Sequence, residues 1–161
     1  MFTSLQRLLA TLALSLVVAG PALAQNAAPT ADGLIKVRSA YSMDETIDRI
    51  KKDVAAKGIM FFQAVDQAKL AAAAGIQLRP STLLEFGNPP LGAQFLTANP
   101  YSGLDWPVRV LVLQDEAGQV WAAYTDFAWI ARRHGITNRQ QQFAMASSVV
   151  ESITSTIKTA P

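Results

Sequence analysis

Cysteine is absent from the 161 residues, and histidine occurs once, as His134. The first absence removes disulfides, thiolate metal ligands and cysteine nucleophiles together. The second leaves any metal site to carboxylates, and these do not cluster at ligand spacing; Asp115–Gly118 is too short for a calcium loop. A serine nucleophile would need His134 as its base, and no G-x-S-x-G turn is present. G-x-G-x-x-G and Walker patterns are missing as well. Charge is sparse, 16% of residues, with a net +2. The lysines and arginines are scattered, not massed on one helix face, which excludes an electrostatic nucleic-acid platform. These absences predict no catalytic residue, no metal and no cofactor.

Long apolar runs are also absent, save one at the start. Leu8 to Gly20 is apolar and uncharged, Arg7 precedes it, Pro21 breaks it, and Ala22-Leu23-Ala24 offers small residues for a signal peptidase. The pattern predicts a signal peptide over residues 1–24, cleaved after Ala24, and a periplasmic or secreted destination. Residues 25–32, small, polar and proline-containing, read as a tether, and 33–161 as one domain. Nothing after residue 24 is apolar enough to span a bilayer. Without disulfides in an oxidising compartment, stability must come from packing, and the mature chain is long enough to bury a core.

The remainder reads as alternating strands and helices. Leu34 to Tyr41 sets Ile35, Val37 and Ser39 against Lys36 and Arg38, a half-buried strand. Ser42 with Glu45 forms a capping box, Ile47, Ile50 and Val54 share a stripe, and Gly58 closes the helix. Ile59 to Val65 is apolar on both faces, which predicts a central strand. Asp66 then caps a short helix that Gly75 ends. Ser81 to Phe86 is a further strand, and Leu91, Phe95 and Ala98 take helical spacing. Val108 to Gln114 and Gln119 to Thr125 flank Asp115–Gly118 as a hairpin. A short helix from about Asp126 to Arg133 follows, and Thr137 with Gln140 predicts a second capping box. The last helix carries Phe143, Ala146, Val150, Ile153 and Ile157 inward. The sum is an α+β domain: a mostly antiparallel sheet covered on one face by two longer helices.

Chemistry then rests on a few positions. Asp66 and Glu85 end apolar strands, where a buried carboxylate serves as acid or base; Asp66 reads first as a helix cap. Phe86-Gly87-Asn88-Pro89 delivers a helix N-terminus, but its prolines remove donors, so a hinge with Asn88 as cap and Pro89 at the first turn is preferred to an anion cradle. Arg109 lies inside an apolar strand and must be outward or paired. His134, in the last turn of a short helix, suits the helix dipole. Asp115 and Glu116 read as solvated turn residues. Trp106, Trp121, Trp129, Tyr101, Tyr124, Phe86 and Phe127 supply a core or line a cavity between sheet and helix.

Five segments occur in register: Gly33-Leu34-Ile35 with Val37, Ser39, Ser42 and Glu45-Thr46-Ile47; Gly58 to Phe62 with Val65-Asp66; Phe86 to Pro89; Gly103-Leu104-Asp105 with Pro107 and Arg109; and Asp115-Glu116 with Gly118, Val120-Trp121 and Tyr124. Together they resemble the domain-of-unknown-function 302 family. The resemblance implies a β-α-β4-α fold similar in topology to the TATA-binding-protein-like superfold, a homodimer, and no established reaction. Members often carry Asp-His where this chain has Asp66-Gln67, so any role of that histidine is not carried over. The reading that follows is a non-enzymatic module holding a small, partly apolar ligand, with Asp66, Phe86, Gly87, Asn88, Pro89 and Arg109 at its site. Nucleic acid is not expected as a partner, nor a membrane once the leader is removed. Two alternatives stand beside it: an acid–base enzyme using Asp66 or Glu85 on a small anionic substrate bound by Arg109, and a dimeric structural or stress-protective protein without ligand.

Overall fold

A computed structural model describes residues 28–158; the leader expected over 1–24 and the first tether residues lie outside them. The elements run β1 (Leu34–Arg38), α1 (Met43–Ala56), β2 (Met60–Asp66), α2 (Gln67–Ala73), β3 (Ser81–Gly87), α3 (Pro89–Ala98), a 3₁₀ turn (Pro100–Asp105), β4 (Val108–Gln114), β5 (Val120–Thr125), α4 (Phe127–Arg133) and α5 (Gln140–Ser155). The strands form one sheet in the order β1-β5-β4-β3-β2, each neighbouring pair antiparallel.

Local chemistry explains most element ends. Ser42 Oγ accepts from the Glu45 amide at 3.3 Å, while the Glu45 carboxylate pairs forward with Arg49 at 2.7 Å. Asp66 accepts from the Lys69 amide at 2.8 Å and Asn88 from the Leu91 amide at 3.1 Å, each a helix cap. Gly58, Gly75 and Gly135 follow helix ends with positive φ, where a side chain would be strained. The second capping box does not form: α5 starts at Gln140 with Arg139 at its cap position and no side-chain cap bond, because the Gln140 side chain turns back onto the Thr137 carbonyl.

One sheet face is the core. Ile35, Val37, Leu84, Phe86, Val110, Val112, Ala122 and Tyr124 meet Ile50 and Val54 of α1 and Phe143, Ala146, Val150 and Ile153 of α5. Phe95 of α3 stacks on Phe143 at 4.3 Å, and Phe127 and Ile130 of α4 close the cluster. Alternation therefore places the intervening residues, even-numbered in β1 and odd-numbered in β3, β4 and β5, on the opposite face, which no helix stripe fills.

The strand expected at the centre, Ile59 to Val65, is instead the edge strand β2. Met60 is 52% and Phe62 40% exposed. The reason is the β3–β4–β5 meander: the pairing of β4 with both β3 and β5 puts the hairpin strands in the middle and leaves β2 only β3 to bond. On its inner face Phe61 packs against the core, and on the other Phe62 stands edge-on to Trp106 at 5.7 Å.

Candidate functional site: the open face of the sheet

The face away from the helices is not solvated in the usual alternating way. Leu34, Leu83, Leu111, Leu113, Trp121 and Ala123 point to it and are half-buried or buried. They floor a hollow of about 830 Å³, whose walls are Asp32, Lys36, Asp105, Arg109, Asp115, Trp129 and Arg133. That volume is in the range of small-molecule sites, roughly 300–1,000 Å³.

At one end of the hollow the only histidine joins the most buried carboxylate cluster. Asp105 has a side chain 4% exposed, although it is a short turn from the surface. Arg133 Nη1 donates to both its oxygens at 3.1 Å. His134 Nε2, with a side chain 6% exposed, sits 2.6 Å from Oδ2. Arg109 Nη2 donates to the Leu104 carbonyl at 2.6 Å and approaches Asp105 Oδ1 at 3.3 Å. The backbone explains the meeting. The 3₁₀ turn carries Asp105 to the start of β4, and α4 ends there, its last turn held by Asn99 Nδ2 donating to the His134 carbonyl at 2.8 Å. His134 is thus more than a dipole partner of α4; its ring is spent on Asp105, 29 positions away in sequence. Local reading missed this. The signals in the sequence were the segment that joins Asp105 to Arg109 and the ionisable run Arg132-Arg133-His134.

At the other end stands Asp115. The Trp121 indole donates to it at 2.7 Å, and the Gln119 and Ala117 amides at 2.9 and 3.0 Å. It is an organised turn anchor, not merely a solvated tip residue. These donors, the indole first, hold its carboxyl below the ordinary value of 3.8. A carboxylate with a depressed folded pKa contributes stability above its unfolded pKa, lost as pH falls through the folded value. Asp115→Asn is therefore expected to flatten the loss of stability below pH 3.8, read from urea midpoints followed by tryptophan fluorescence across an acid series. An unchanged acid limb refutes that role. Asp32 is likewise held low, chiefly by the Thr30 hydroxyl, and burial raises the Tyr124 hydroxyl above its ordinary value.

The six residues expected at the site separate. Arg109 lies in the hollow. Phe86, Gly87 and Asn88 line a different groove of about 630 Å³ between α3 and α5, floored by Leu91, Val108 and Val150. Phe86 is 1% exposed and belongs to the core, Asn88 is the α3 cap, and Pro89 is the first residue of α3. Asp66 caps α2 at the far edge of β2 and lines neither. Glu85 stands on the open face, accepting from Gln63 Nε2 at 2.9 Å. The aromatic set divides too: Phe86, Tyr124 and Phe127 are core, Trp121 and Trp129 wall the hollow, and Tyr101 is exposed. A depression of about 790 Å³ beyond Arg38 has loop and backbone walls and no comparable apolar floor. Among the described residues no group of histidine and carboxylates is placed to hold a metal.

A five-stranded antiparallel sheet with helices on one face defines a single α+β domain. The chain belongs to the family described as "Domain of unknown function DUF302", matched over residues 35–159. A crystal structure of an uncharacterized conserved DUF302 protein from Bacillus stearothermophilus shares the fold: TM-score 0.71 at 17% identity, over 78% of this chain and 98% of that one. Two curated relatives are each 38% identical over 104 residues, 65% of this chain: "Fluoride-specific ion channel FluC 1" of Brucella suis biovar 1, covered over 41% of its length, and the protein of the same name in Brucella abortus biovar 1, covered over 38%. The chain thus spans about two fifths of the length of the curated relatives it matches. Among the described residues no helix is long and apolar enough to cross a membrane.

Proposed function

We propose that this DUF302 domain is an exported, non-enzymatic module that binds a small, partly apolar ligand on the open face of its sheet. One observation carries the reading: the hollow joins an apolar floor, Leu83, Leu111, Leu113 and Trp121, to fixed polar groups at its ends, Asp105 with its arginines and Asp115. Apolar body and few placed polar groups are the composition of ligand sites. The leader pattern over residues 1–24 supports export. Native mass spectrometry of protein purified from cells, with a thermal-shift screen of extracts, tests it. A retained small molecule that Leu111→Lys abolishes is the expected result; no ligand in either assay, from any extract, sinks the reading.

The module works as a homodimer in this reading. Met60, Phe62, Leu70, Ile76 and Leu78 are all exposed and all lie within β2, α2 and the loop after it. An unpaired apolar edge strand is a template for pairing with another chain, and a two-fold axis lets β2 meet β2. Light scattering after size exclusion should give a dimer at micromolar protein and a monomer for Phe62→Lys; a wild-type monomer refutes it.

The name of the Brucella relatives favours a second reading, in which the domain serves a fluoride-handling membrane protein. Loss of the gene would then raise sensitivity to fluoride in growth medium, an effect that the ligand-module reading does not predict.

A further inference from the structure

Arg109 and Arg133 form the polar end of the hollow opposite Asp115. Each extends from a different element, β4 and α4, and both reach the same oxygen, Asp105 Oδ1, so their guanidinium groups lie side by side at one end of the apolar floor. Arg133 also stands 5.5 Å over the Trp129 ring, which fixes its approach. Both remain close to half exposed, at 45% and 43%. The contacts to Asp105 and Leu104 occupy Nη2 of Arg109 and Nη1 of Arg133, and each guanidinium has five N–H donors in all. Free donors are therefore presented on two adjacent, permanently charged forks.

The charge count sets the sign and size of what fits. Two arginines against one buried carboxylate leave a single positive charge in excess. Of the other charged walls, Asp32 lies in the field of Lys36, which offsets it, and Asp115 stands at the opposite end with three donors on its carboxylate. Between Arg109 and Asp115 runs β4, six residues or roughly 20 Å of strand, with Leu111 and Leu113 toward the floor. A headgroup of one negative charge belongs at the arginine end and an apolar body along the leucines. A doubly charged phosphate would exceed the spare charge, and an anionic bilayer would meet Asp32 and Asp115 at the rim.

Resting on the open face as the ligand site, we infer that its ligand is a monocarboxylate amphiphile of the fatty-acid class, its carboxylate forked by Arg109 and Arg133 and its chain lying over Leu111, Ala123, Leu83 and Trp121. Arginine forks match a carboxylate bidentately.

The probe is dodecanoate, followed by calorimetry and tryptophan fluorescence below micelle-forming concentrations, with dodecanol, dodecyltrimethylammonium and phosphatidylglycerol vesicles as comparators. Dodecanoate is expected to bind tightest. Arg109→Gln, which leaves Arg133 and His134 on Asp105 and so preserves the fold, should weaken dodecanoate about tenfold and leave dodecanol unchanged. Leu111→Lys should abolish both. If dodecanol binds as tightly as dodecanoate, or Arg109→Gln changes nothing, the headgroup inference fails while the apolar site stands. Preference for the cationic probe or for vesicles also overturns it. If no probe binds, or Leu111→Lys leaves binding intact, the inference and the open-face site fail together.

Discussion

Asp105→Ala is expected to destabilise the domain by about 3 kcal/mol, the largest single-residue effect outside the apolar core. The side chain is 4% exposed and carries contacts from three cationic-type groups. Removing one member of a buried charge cluster costs about 3–5 kcal/mol because its partners lose their compensation. Here Arg109 and Arg133 can swing to water, being close to half exposed, which places the cost at the lower end. His134 cannot follow them; its ring is 6% exposed and would keep a buried Nε2 without an acceptor. Asp105→Asn retains an acceptor oxygen in the same volume and should lose roughly half as much, about 1–2 kcal/mol. Urea unfolding with an unchanged m value measures both. Equal stability of Asp105→Ala and wild type would show that the cluster is a surface ion pair and nothing more.

Gly92→Ala should cost about 2–3 kcal/mol, although it replaces glycine in a helix interior. On helix propensity alone the change gains roughly 1 kcal/mol. The added methyl has nowhere to go: a Cβ at Gly92 would lie 2.2 Å from the Trp106 indole. The ring cannot retreat freely, because its other neighbours are Gly87, where a Cβ would stand 3.3 Å from Nε1, and Phe62, edge-on at 5.7 Å. Overpacking of this kind displaces the ring or the helix. Gly92→Ala combined with Trp106→Leu should be more stable than the sum of the single changes, since the clash needs both partners. A thermal melt in which Gly92→Ala rises instead would mean that Trp106 is held loosely and that the glycine is there only by tolerance.

The Asp66-Gln67 pair illustrates how a local reading holds. Asp66 needs only the next three residues to be a cap, and it is one. The Phe86–Pro89 segment likewise resolves into a strand-to-helix hinge with Asn88 capping and Pro89 leading α3, as its own residues dictate. Phe86 and Arg109 lie in the strands that alternation predicts, yet the single pocket expected of them divides in two, because face and neighbour depend on pairing across the sheet.

By itself the sequence determined the α+β class, the five strands, the helix starts that have local caps and the inward stripes of α1 and α5. Each depends on spacing within one or two turns or on alternation along one strand, interactions whose partners are adjacent in the chain. Only the tertiary structure decided that β2 is an edge, that Thr137 does not cap α5, that Gly92 must lack a side chain, and that Asp105, Arg109, Arg133 and His134 share one site. Strand order is set by which edge each hairpin leaves free, and a buried charge is tolerable only where distant opposite charges are delivered to it; neither fact is written within the reach of a single element.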